Sequence, residues 1–273
     1  MTIPAQTAPR DSTKTQIIKD AAVYIPSTYV AQFCGLINAF VIRHLLGPTM
    51  MGIWATLQLI LNYGGYLNLG SMQAGAKEIP FQMGRKDHAK ADRIKNNIFT
   101  FSLLMSGVGA LLLIAGAVIF AKDFDMQFRT GLVAIGLILI GQRVYNFTVM
   151  LLRGYKNFAL LAKLTVVTAV LDVSLAAGLI WLFGIYGLYA SVLSSMALSM
   201  AWAWRRFPYQ VRLELDREVL REISKIGLPM LALGIVFTLL RTMDKILVVK
   251  YMGATELGIY SIALMASNYV FGL

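Results

Sequence analysis

Apolar runs of about 20 residues, separated by short polar patches, recur from residue 21 to the end of the chain. At a rise of 1.5 Å per residue, one such run spans the hydrocarbon core of a bilayer. Lipid offers no partner to backbone N–H and C=O groups, so only helices or closed barrels cross it. These runs are too long and too unalternating for barrel strands. The pattern predicts an all-α integral membrane protein with about eight transmembrane helices, at 21–42, 52–74, 97–121, 130–152, 159–182, 185–204, 227–249 and from 258 to the end. The last run is about 16 residues, short of a full crossing. Composition agrees, since 58% of the 273 residues are hydrophobic and 14% charged, where a soluble domain has roughly a quarter charged.

The net charge of +11 could suggest nucleic acid, but no RNA- or DNA-binding motif accompanies it. Its distribution explains it better. Lys and Arg gather in the N-terminal tail (Arg10, Lys14, Lys19) and in alternate connections, as in Lys77–Lys95, Arg153–Lys163 and Arg205–Lys225, while the other side carries only Arg43, Lys122, Arg129 and Lys250. By the positive-inside rule the N-terminus is expected in the cytoplasm. The polar first twenty residues and the lack of a small-residue cleavage site favour a retained first span over a signal peptide. Cys34 is the single cysteine, so no intrachain disulfide can form.

The expected organisation is a cytoplasmic tail (1–20), a first six-helix bundle (21–204), a cytoplasmic amphipathic linker (205–226) and the start of a second bundle (227–273). Within the linker, Asp216 is expected to cap a helix with Val219, Leu220, Ile223 and Ile226 on one face and Arg217, Arg221 and Lys225 on the other. This reads as an interfacial helix feeding the seventh span, with a break at Gly227 and Pro229. In the sixth span Gly187, Ser191, Ser195, Ser199 and Ala203 form a small-residue stripe that lets a neighbouring helix approach.

The chain repeats a phrase. LGPTMMGIW at 46–54 returns as MGATELGIY at 252–260, and Gly47, Thr49, Gly52, Ile53, Asn62 and Tyr63 match Gly253, Thr255, Gly258, Ile259, Asn268 and Tyr269. The two copies lie six expected spans apart, an even period that keeps both in one orientation. Parallel halves related by an axis along the membrane normal follow.

The strings HLLGPTMMGIWATLQLILNYGGYLNLGS, KEIPFQMGRKDHAKADRIKNN and ISKIGLPMLALGIVFTLLRTMDKILVVKYMGATELGIYSIA resemble the polysaccharide or O-antigen flippases of the multidrug/oligosaccharidyl-lipid/polysaccharide exporter superfamily. That resemblance implies two six-helix bundles around a central cavity and movement of undecaprenyl-diphosphate-linked oligosaccharide across the bacterial inner membrane. It also implies membrane lipids, the polysaccharide polymerase and the chain-length machinery as partners, with no nucleic acid. Relatives have twelve to fourteen spans, so the expectation is a C-terminally truncated member.

A charge at mid-bilayer costs roughly 3 kcal/mol on insertion scales, so such a residue faces protein or water. Arg143 lies near the middle of the fourth span with Gln142 and Asn146 beside it, and can hold a diphosphate with a forked contact. Asp172 in the fifth span is a partner for Arg143 or a coupling site for a proton or sodium ion. In the seventh span Arg241, Asp244 and Lys245 share a face, so the acid can neutralise one base and leave one positive charge free. Asn38 in the first span, and Gln58 and Asn62 in the second, could bond sugar hydroxyls or glue helices. Arg43 and His44 are read as snorkelling at the outer end of the first span, and His88 as solvated, with no metal cluster and no cofactor expected.

No Walker loop, nucleophile elbow, His-x-x-x-His or paired catalytic carboxylates occur, so the chain is read as no enzyme, with no catalytic residue. The first reading is an alternating-access flippase. The alternatives are a cation-coupled multidrug exporter of the same superfamily, for which Asp172 and Asp244 are the anchors, and a non-transporting truncated membrane protein.

Overall fold

The structure, a computed structural model, describes residues 10–122 and 124–271, with side chains from 22 to 261 apart from residue 123, and at 263 and 264. The tail at 1–9 and the side chains of Asn268 and Tyr269 in the second repeat copy lie outside the described residues. Seven α-helices and one 3-10 turn make up the described chain: α1 (Arg10–Gly64), the turn Gly65–Asn68, α2 (Ser71–Gly84), α3 (His88–Ile119), α4 (Met126–Gly154), α5 (Phe158–Arg206), α6 (Arg217–Tyr251) and α7 (Ala254–Phe271).

The protein is an all-α membrane protein. Five of its helices are long and apolar enough to cross: α1 from Ala22, α3, α4, α5 and α6. Two of these are far longer than one crossing needs and are broken at a glycine, α1 at Gly47 (φ 71, ψ 175) and α5 at Gly184 (φ 58, ψ −132). Both fold back as hairpins. Ala39 and Asn62, on opposite sides of Gly47, line one cavity, and Gly187 lies against the carbonyl of Leu179 across Gly184. The 18-residue α7 is not among the five.

The second span ends earlier than its apolar run suggests. The helix stops at Gly64, a 3-10 turn follows, Leu69 and Gly70 take positive φ (48° and 77°), and α2 starts a new direction at Ser71. Helical structure thus occupies much of the basic connection that the sequence left as a loop. α3 likewise starts at His88, nine residues before its apolar run, because the Asp87 carboxylate accepts the Lys90 N–H (3.0 Å) and caps it. The Asn157 side chain caps α5 in the same way (3.2 Å).

Asp216 caps α6 as expected, accepting the Glu218 N–H (2.9 Å). The expected break at Gly227 and Pro229 is absent, since α6 runs through both. The apolar face of its first turns is covered by protein: Val219, Ile223 and Ile226 pack on a cluster with Ile79, Ile94, Ile98, Phe147 and Leu151. At this basic end, outside the hydrocarbon, each fully buried Ile contributes about 1.5–3 kcal/mol by leaving water. Before α6, the segment at 207–216 forms a strap on α3. The N–H groups of Arg212, Glu214 and Asp216 donate to Asn96, Thr100 and Asn97 (3.2, 3.1 and 2.5 Å). Ion pairs Arg93–Asp216 (2.5 Å) and Lys90–Glu222 (2.8 Å) pin its end.

Between helices in lipid there is no water to expel, so close packing and internal hydrogen bonds carry association. The stripe Gly187, Ser191, Ser195, Ser199 and Ala203 is buried throughout. Its serines donate back to their own helix, to the carbonyls of Leu188, Val192 and Met196, so the stripe serves packing.

The two repeat copies meet face to face. A Cβ on Gly52 would lie 1.7 Å from the Ala254 carbonyl oxygen, and one on Gly258 would lie 2.0 Å from that of Pro48. A shift of 206 residues, the offset between the copies, turns the first contact into the second. A reciprocal contact of this kind is the mark of a two-fold axis. The turns obey the same operation, with Gly47 at φ 71° and Gly253 at φ 98°, a region that a side chain would disfavour. The two repeat copies are thus related by an approximate two-fold.

Candidate functional site

α4 places Arg143 in the interior, 5% exposed. A guanidinium cannot stay there without partners. It finds them where α1 breaks: its Nη2 donates to the carbonyls of Gly64 (3.2 Å) and Gly65 (2.7 Å). The last carbonyls of a helix have no partner within it and carry its negative dipole end, so a cation placed there satisfies both needs. The pairing with Asp172 suggested by sequence does not form. Among the described residues the ion pairs are Lys90–Glu222, Arg93–Asp216 and Lys95–Asp92. Asp172 lies half-buried on α5 beside Ser195.

Arg143 also lines a cavity of about 490 Å³ that reaches Arg153 at the end of α4. Gln142 and Asn146 line it with Arg143, so the polar stripe read from sequence does face one space; Asn62 and Gln73 come from α1 and α2. Arg143 Nε and Gln73 Oε1 are buried with no hydrogen-bond partner among the described residues, which leaves one donor and one acceptor open in the cavity wall.

A second cavity, of about 270 Å³, lies towards the Gly47 and Gly253 turns. Its wall obeys the repeat: Ala39 faces Lys245, Met51 faces Leu257, Ala55 faces Ser261 and Gln58 faces Leu264, each pair 206 residues apart. It therefore sits on the pseudo-two-fold axis, between the halves. Arg43 completes it. That side chain does not snorkel outward; it is half-buried, donating to the Ala39 carbonyl (2.9 Å) and to the Ser261 carbonyl on α7 (3.3 Å).

Asn62 lines both cavities. Beside it on α1, the Tyr63 hydroxyl bonds Thr242 on α6 (2.7 Å), and the Tyr66 hydroxyl donates to the Gly234 carbonyl (2.8 Å) and bonds the Thr238 hydroxyl. This latch ties the halves together at the level where the two spaces meet. Among the described residues no carboxylate lines either cavity.

Several expected site residues lie elsewhere. Asp244 does not neutralise its basic neighbours; its carboxylate accepts the Tyr260 hydroxyl (2.6 Å) and its own helix N–H from Lys245 (2.8 Å). Arg241 is exposed and lines neither cavity. Asn38, which the repeat equates with Asp244, and Asp172 line neither as well, and Asn38 Oδ1 is buried with no hydrogen-bond partner among the described residues. Of the expected set, Arg143, Gln142, Asn146 and Asn62 share the larger cavity, and Lys245, Gln58 and Asn62 the axial one. The residue missed is Arg43. Its signal lay in the repeat, since the turn four residues later at Gly47 returns Arg43 to face α7.

Hairpin helices, a reciprocal contact between the repeat copies and polar cavities beside it define the fold of a polytopic helical membrane protein. Solved structures share it: a MOP superfamily transporter from Pyrococcus furiosus described as having a binding pocket of reverse polarity (TM-score 0.67, 16% identity, 93% of this chain and 60% of that one), an outward-facing multidrug resistance MATE family transporter of the same superfamily (0.68, 17%, 92% and 59%), and a MATE protein in a straight conformation (0.69, 16%, 94% and 61%). The chain spans about three fifths of the length of these proteins. No curated protein matches it. The chain belongs to the polysaccharide biosynthesis protein family, whose model matches residues 41–272.

Proposed function

We propose that this protein translocates an undecaprenyl-diphosphate-linked oligosaccharide, the repeat unit of an O-antigen, exopolysaccharide or capsule, across the bacterial inner membrane by alternating access. The observation that carries this reading is the lining of the two cavities: arginine or lysine, with Gln and Asn amides, and no carboxylate among the described residues. A diphosphate needs fixed cations in a low-dielectric site, and Arg supplies a forked contact. Sugar hydroxyls need donors and acceptors together, which amides provide. A cation-coupled drug exporter would instead need acids in its cavity, and Asp172 and Asp244 lie outside both.

In this mechanism the head enters from the basic end, which the positive-inside rule makes cytoplasmic, and meets Arg143 while the lipid tail stays in the bilayer. The halves then rock about the pseudo-two-fold axis and reopen on the other side. Movement of a fluorescent undecaprenyl-diphosphate sugar in proteoliposomes tests it. Arg143→Ala removes a charge-assisted contact of about 1.5–3 kcal/mol, and the transport rate is expected to fall about ten- to a hundredfold. An unchanged rate at normal protein abundance would contradict the assignment.

A further inference from the structure

The strap at 207–216 leaves one face uncovered. Its N–H groups at Arg212, Glu214 and Asp216 bond α3 at every second residue, the period of an extended chain, so Leu213 and Leu215 share one face and Arg212 and Glu214 the other. Those leucines are 74% and 58% exposed, whereas Val211 before them and Val219 after them pack against a buried cluster. Their level is given by α3: Asn96, Asn97 and Thr100, which hold the strap, stand where the polar first turns of α3 give way to its apolar run. The leucine face therefore opens at the boundary of the hydrocarbon. The residues around it suit that boundary. Trp204 is 65% exposed at the end of α5, and the Arg206 guanidinium lies over the Trp202 ring, 5.8 Å from its centre, a pairing of aromatic and basic groups that favours the headgroup level. Arg205, Arg206, Arg212 and Arg217 are exposed, and none forms an ion pair among the described residues. The acids of the segment are Glu214 and Asp216, and Asp216 is tied to Arg93. Arginines in this excess beside exposed leucines match a leaflet that offers phosphate above and acyl chain below.

We propose that the segment 204–217 is a binding surface for anionic phospholipid. Leu213 and Leu215 enter the acyl boundary, and Arg205, Arg206, Arg212 and Arg217 hold lipid phosphates above them. Because the strap is the link between α5 and α6, bound lipid fixes that link at the membrane surface. None of these residues lines either cavity, so the surface is independent of what the protein transports.

Depth measurement by nitroxide electron paramagnetic resonance tests it. The full chain carrying Cys34→Ser, with one label at Leu213→Cys or at Leu215→Cys, is placed in nanodiscs of phosphatidylcholine alone or of phosphatidylcholine mixed with phosphatidylglycerol. In the mixed discs both labels are expected to meet oxygen, which concentrates in lipid, more often than a water-soluble nickel chelate. In discs of phosphatidylcholine alone both are expected to shift towards water. In R205Q/R206Q/R212Q/R217Q the difference between the two lipid mixtures is expected to vanish, with size-exclusion and circular dichroism profiles matching wild type. The comparison of the two mixtures needs no arginine variant and stands if the quadruple one fails to fold. A label at either position that meets nickel more often than oxygen in the mixed discs, or that protein shields from both, would overturn the surface. So would a depth that ignores phosphatidylglycerol, or a folded quadruple variant that still responds to it.

Discussion

Arg143 illustrates how one residue serves structure and ligand together. Its Nη2 closes the broken end of α1, while the residue lines the cavity with Gln142 and Asn146. Arg143→Met, similar in length but uncharged, is expected to lower stability by about 1.5–3 kcal/mol, the worth of charge-assisted bonds to carbonyls, measured by thermal unfolding in detergent. A melting temperature equal to wild type would show that the carbonyls of Gly64 and Gly65 need no cap. The sequence exposes Arg143 as a buried charge, because an arginine in an apolar run must find a partner. It does not expose which partner, since the acceptors are backbone carbonyls freed by a helix break. Asp172 looked suitable only because side chains are what a sequence lists. Arg43 was lost for a related reason: at the outer end of its span it was read as reaching the surface, whereas it donates to a backbone carbonyl of Ser261 on α7, 218 residues away.

Helix by helix, the contacts that must move are those between α1 and α6. Tyr63 on α1 and Tyr66 in the 3-10 turn that follows it meet Thr242 and Thr238, one turn apart on the antiparallel α6. Removing one hydroxyl costs about 0.5–1.5 kcal/mol. Tyr66→Phe is therefore expected to raise hydrogen exchange at 63–68 and 234–242, and unchanged exchange would deny the latch. The strap gives a pH-dependent test. Asp216 is held below the ordinary carboxylate range by the Glu218 N–H, with the Arg93 guanidinium adding to it. A depressed acid stabilises the fold above its unfolded pKa, about 3.9, and that support is lost as pH falls through the lower folded value. Amides 212–216 are expected to stay protected at pH 5 and to open only as pH falls below the ordinary carboxylate range, and protection unchanged to pH 2 would contradict the anchor. The Asp216 cap is legible because Asp before an amphipathic helix is a start signal. The strap is not, since its hydrogen bonds reach across more than a hundred residues to Asn96, Asn97 and Thr100.

At the scale of the molecule, the pseudo-two-fold axis passes between Gly52 and Gly258. Backbone lies against backbone there, so Gly52→Leu or Gly258→Leu has no flexible neighbour to displace, and overpacking costs about 1–3 kcal/mol or more. Both are expected to melt lower than wild type, whereas Gly107→Ala on α3, with open space around its Cβ position, is expected to be neutral or slightly stabilising. The contact between the repeat copies was foreshadowed by their six matched positions, because a repeat constrains topology without any knowledge of contacts. The cavities were only partly readable. Which polar groups share a space depends on hairpin angles, and Arg241 and Asp244, one turn apart from Lys245 or beside it, point elsewhere.

The central claim is that the path through the protein is cationic and built for an anionic head. The direct measurement is the initial rate at which proteoliposomes holding the full chain move a fluorescent undecaprenyl-linked sugar with its diphosphate, beside the same lipid-sugar lacking phosphate and a cationic drug. Rapid movement of the diphosphate form alone is the expected result. Equal movement of the uncharged lipid-sugar, or preference for the cation, would contradict it.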